Sequence, residues 1–90
     1  MTSPTEHLNN HHRDTLRELF RHPAGHNIEW HSVVSLLEAV GTVTTHHDGK
    51  VTVTVGSQSV VLTPPAGKDV DTRTVTDLRG MLAAAGYSGG

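Results

Sequence analysis

The chain contains no cysteine among its 90 residues, which excludes a disulfide framework and a thiolate metal centre. Aromatic side chains are almost missing as well. One Trp, one Tyr and one Phe cannot form a stacking platform for single-stranded nucleic acid. No stretch approaches the roughly 20 apolar residues of a membrane-spanning helix, so no membrane association is expected. The first residues lack the apolar run of a signal peptide, and the expected address is cytoplasmic. Excess basic charge is absent too. Seven Lys and Arg stand against nine Asp and Glu, for a net charge of −2, which is not the footprint of a protein that binds by neutralising phosphates.

Histidine, in contrast, is plentiful. Each of the eight imidazoles is close to half-charged near its reference pKa of about 6.5, so mild acid turns the surface basic. The length suits one domain with a small core. Residues 1–12 are polar and read as a disordered N-terminal segment, 13–87 as the single domain and 88–90 as a disordered tail.

Hydrophobic periodicity divides the domain into six elements. Asp14 to Arg21 reads as a helix with Leu16, Leu19 and Phe20 on one stripe, stopped by Pro23 and Gly25. Asn27 is the expected N-cap of a second helix, in which Val33, Leu36, Leu37 and Val40 follow the spacing of a buried face. Gly41 is expected to end it as a C′ residue. The period then becomes two. A three-residue loop His47-Asp48-Gly49 pairs Val43 with Val53 and Thr45 with Val51, and a type II′ turn at Gly56-Ser57 pairs Val60 with Val53 and Leu62 with Val51. Pro64-Pro65 ends the third strand, Asp71 caps a last helix with the stripe Val75, Leu78, Met81 and Leu82, and Gly86 terminates it. The predicted fold class is α+β in the order α-α-β-β-β-α, with a three-stranded antiparallel sheet and helices packed on one face, similar to a double-stranded-RNA-binding domain.

Three motifs in this order carry a family resemblance. The pattern W-x-x-V-x-x-L-L-x-x-x-G from Trp30 to Gly41, the hairpin, and GKDVDTRTVTDLRGMLAAAG ending at Gly86 together resemble the HicA family of small toxins from toxin–antitoxin pairs. TLRELFRHP before them is similar to the lead-in helix of one branch of that family. The resemblance implies an endoribonuclease that cleaves messenger RNA, needs no cofactor, and is neutralised by a HicB-like antitoxin. The family histidine, in a Gly-Ser-His run, falls here on Gly49-Lys50-Val51 to within about one residue, so Val51 stands where the histidine is expected. The branch's His-Arg-Pro-His stretch is replaced by Leu62-Thr63-Pro64-Pro65.

Chemistry therefore has to come from neighbouring residues. Cleavage of RNA without a metal needs a base for the 2′-hydroxyl and an acid for the leaving oxygen, and His46 and His47 at the first hairpin are the candidate catalytic pair. Lys50 lies across from His46 in the predicted register and is a candidate phosphate contact, together with Lys68 and Arg73 near the last helix. The alternative is a non-catalytic RNA- or protein-binding module that keeps the fold. No metal site is expected. His7 and His11 share a helical i, i+4 spacing only if the first helix begins early. Trp30 is expected to close the core against Leu16 or Phe20.

Overall fold

The computed structural model describes residues 9–21 and 28–87. Three helices and a three-stranded antiparallel sheet follow one another as α1 (Asn10–Phe20), α2 (Trp30–Val40), β1 (Thr42–Thr45), β2 (Val51–Val55), β3 (Gln58–Leu62) and α3 (Thr72–Ala84). The α+β class and the succession of elements agree with the reading of the sequence.

The register does as well. Val43 pairs with Val53 and Thr45 with Val51, while Val60 and Leu62 oppose Val53 and Val51 across the second hairpin. Both turns use glycine where the chain needs a positive φ, at Gly49 (+92°) and Gly56 (+61°). Ser57 stays at negative φ, so the second turn is of type II′ rather than I′. This register places Val51, Val53, Val55 and Leu62 on one buried face, where α2 and α3 cover them with Val33, Leu36, Leu37, Val75, Leu78, Met81 and Leu82. The opposite face carries Thr42, Thr44, Thr54, Ser59 and Val61, all exposed. Trp30 and Phe20 are half-buried against the rim of the core.

The first helix begins earlier than its apolar stripe suggests. The stripe predicts a start at Asp14, with residues 1–12 disordered, yet residues 10–12 are helical, and Asn9 caps the helix by accepting a hydrogen bond from the His12 N–H (2.8 Å). A short polar side chain at the cap, rather than an apolar residue, fixes this start. The remaining expectations for the N-terminal segment, for Pro23 and Gly25, and for the 88–90 tail lie outside the described residues. The N-cap of α2, expected at Asn27, falls two residues later because the helix begins only at Trp30. At α2 the cap residue is Glu29, whose side chain makes no capping bond. The Trp30 N–H is satisfied instead by the carbonyl of Lys68 (2.7 Å), in a short antiparallel bridge between Glu29 and Asp69.

Gly41 ends α2 as its C-cap residue. Its φ is −164°, extended backbone open to any residue. Glycine is required because a Cβ there would run into the backbone carbonyl of Thr54. Gly80, in the exposed middle of α3, has open space around its missing Cβ. Gly41→Ala is therefore expected to destabilise the domain by about 2–4 kcal/mol through a backbone clash. Gly80→Ala is expected to stabilise it by about 0.5–1 kcal/mol through helix propensity. Urea denaturation of the two variants checks the opposite signs.

The C-terminal end of α1 is fastened to α3. Arg79 of α3 donates from Nε to the carbonyl of Leu19 (2.9 Å) and from Nη2 to the carbonyl of Arg21 (3.1 Å). A cation thus meets the open carbonyls and the negative dipole end of α1.

Candidate functional site

The hairpin between β1 and β2 is held by its own backbone. The His46 N–H donates to the Lys50 carbonyl (2.8 Å), the Gly49 N–H to the His46 carbonyl (2.9 Å), and the Lys50 N–H to Asp48 Oδ1 (3.0 Å). Asp48 and Gly49 therefore do structural work, and His46, His47 and Lys50 are left exposed around a defined loop. The His46 imidazole is oriented further. Its Nε2 shares a 2.6 Å hydrogen bond with Thr52 Oγ1, a diagonal neighbour on the outer face of the sheet. The expected register already sets Thr52 diagonally across from His46, but which neighbour the imidazole bonds is decided by side-chain rotamers and leaves no strand-pattern signal. Val51, by contrast, points inward and is 4% exposed.

Arg73 stands in the first turn of α3, on a cavity of about 300 Å³ shared with Leu62, Thr63, Asp71, Thr74 and Asp77. Leu62 pairs with Val51, the first residue of β2, so the loop and this cavity lie at the same end of the sheet. Two carboxylates beside Arg73 offset much of its attraction for an anion. Lys68 is exposed in the turn whose carbonyl caps α2. Its neighbour Asp69 has one carboxylate oxygen, Oδ1, buried without a hydrogen-bond partner. Among the described residues no hydrogen bond or ion pair joins His46, His47 or Lys50 to Lys68 or Arg73.

Asp71 caps α3 by accepting from the Thr74 N–H at 2.8 Å. That bond, a second from the Thr74 side chain, and the nearby Arg73 charge hold its carboxyl below the usual carboxylate range. A depressed folded-state pKa adds stability that is present above the unfolded value of about 3.9 and is lost as pH falls through the lower folded value. Asp71→Asn keeps a capping oxygen and removes this titration. The acid limb of its melting-temperature profile below about pH 4 is expected to be shallower than that of wild type.

The N-terminal histidines serve other ends. His12 Nε2 and Ser35 Oγ share a 2.9 Å hydrogen bond that ties α1 to α2. His11 borders a second cavity of about 260 Å³ with Asp14, Glu18 and Glu29. Among the described residues no three His, Asp or Glu side chains form a metal-holding group, and His7 lies outside them. Also among the described residues, no helix is long and apolar enough to cross a membrane.

Comparisons with protein-family models, curated proteins and solved structures gave no match.

Proposed function

We propose that this chain is a HicA-like component of a toxin–antitoxin pair, a cytoplasmic endoribonuclease acting on messenger RNA and neutralised by a HicB-like partner. The fold is read as double-stranded-RNA-binding-domain-like. The observation that carries the reading is topological: α2, a meander in the order β1-β2-β3, and α3, with both helices on one sheet face. This is the succession that the resemblance implies, and it leaves the His46–Lys50 loop open to a large substrate.

In this reading one hairpin imidazole takes the proton of the ribose 2′-hydroxyl as that oxygen attacks the adjacent phosphorus. The other gives a proton to the departing 5′-oxygen, and Lys50 steadies the phosphate. His46 is favoured for one of these roles because Thr52, which orients its ring, is the outward neighbour of Val51, the position of the family histidine. Lys68 and Arg73 are assigned to RNA contact, with Lys68 the stronger because Asp71 and Asp77 share the cavity of Arg73.

One observation favours a second reading, a binding module without catalysis. Val51 belongs to the apolar core, so the fold at this position holds no site for a titrating group. Incubation of the purified full chain with a long messenger RNA separates the readings. Fragments support the ribonuclease, and an electrophoretic shift of intact RNA supports the binding module. RNA that is neither cut nor shifted contradicts the ribonuclease and an RNA-binding module alike, and leaves a module that binds protein.

A further inference from the structure

β3 is an edge strand. Its two-residue turn makes Val55 and Gln58 the closing hydrogen-bonded pair, and alternation along the antiparallel ladder then assigns Val60 and Leu62 to the bonds with β2. The N–H and C=O groups of Ser59 and Val61 therefore point away from the sheet, with Thr63 next in the alternation. No backbone hydrogen bond from a described residue meets them. Edge strands are commonly guarded by lysine, proline or a bulge, and Gln58–Leu62 has no such guard. The same strand carries Val61, the one large apolar side chain left exposed among the described residues, at 58%.

We propose that β3 pairs antiparallel with β3 of a second copy of this chain about a two-fold axis at Val61, joining two three-stranded sheets into one of six strands. What selects a second copy as the occupant is the match at the central rungs. Val61 meets Val61 across the axis, Ser59 meets Thr63, and half-buried Val60 meets Leu62 on the helix-covered face. Apolar groups face apolar groups on both sides of the sheet, and hydroxyl faces hydroxyl. Moving the axis to Val60 sets Val61 against Ser59, and moving it to Leu62 sets Val61 against Thr63, so only the register centred on Val61 keeps this match. No charged side chain stands on any rung, so two copies of an acidic chain meet here without like charges in contact. In the same register Gln58 of the second copy falls opposite Pro64, beside the cavity lined by Arg73 and Asp77. An interface of one strand and its flanks belongs to the small, weak class, so the dimer forms as concentration rises through the micromolar range.

The absence of cysteine makes the test direct. Hydrogen-bonded antiparallel partners have Cα atoms about 5.5 Å apart, within disulfide reach. Two copies of Ser59 in this register are four residues out of step, about 13 Å apart. Under mild oxidation Val61→Cys is expected to form a covalent dimer, whereas Ser59→Cys stays monomeric. In sedimentation equilibrium the wild-type mass is expected to rise toward that of a dimer with concentration. Val61→Lys, altered at an exposed side chain, is expected to keep wild-type circular dichroism and remain a monomer. A wild type that stays monomeric or grows beyond a dimer overturns the proposal, as does equal cross-linking of both cysteine variants or a Val61→Lys dimer.

Discussion

Val53→Asp is expected to abolish cooperative folding. Val53 is fully buried at the centre of the sheet, paired with Val43 on one side and Val60 on the other. A carboxylate there has no partner and no route to water, and removing it from solvent unpaired costs about 4–5 kcal/mol or more. The domain as a whole has roughly 5–10 kcal/mol to lose. Loss of the sigmoidal thermal transition and of dispersed amide resonances checks this. Thr54→Asp, one residue along on the exposed face, is expected to melt cooperatively close to wild type. A cooperative Val53→Asp melt would contradict the placement of the core.

The second large effect concerns chemistry. If the hairpin supplies the acid and the base, His46→Ala and His47→Ala are each expected to lower the rate of RNA cleavage by about 10²–10⁴, and the double variant by little more than the worse single one. Both side chains are exposed, so the melting temperatures should stay close to wild type. Thr52→Val, which removes the partner of the His46 ring, is expected to cost less than His46→Ala because the imidazole remains. Cleavage at equal rates by all four proteins would remove the hairpin histidines from the mechanism.

Much of the fold is legible in the sequence because it is set locally. Alternation of Val with Thr fixes which face of β2 is buried, and the glycines at 49 and 56 fix the turn lengths and hence every rung. Asp71 and the stripe Val75, Leu78, Met81, Leu82 define α3 in the same way. Features that depend on distant residues are not legible. The start of α2 is satisfied by the carbonyl of Lys68, far along the chain, so no local cap marks it. Gly41 is explained by the approach of Thr54, and Arg79 by the open carbonyls of α1, neither of which leaves a pattern in the residues around them. The early start of α1 is an intermediate case. Asn9 is a good local cap, but the apolar stripe does not begin until Leu16.

The candidate site divides along the same line. That His46, His47 and Lys50 share one loop follows from the hairpin and is present in the sequence. The inward face of Val51 follows from the same alternation, whereas the bond of Thr52 to His46 and the cavity that Arg73 shares with Asp71 and Asp77 are consequences of side-chain packing.

The central claim is that this chain is the RNA-acting half of a toxin–antitoxin pair. Its most direct test is growth of a bacterial host under controlled expression of the chain, alone and together with the adjacent reading frame. The account predicts growth arrest with the chain alone, its relief by the neighbour, and loss of arrest in the His46→Ala, His47→Ala double variant at equal protein level. Unimpaired growth at high expression of the folded wild-type chain would contradict it.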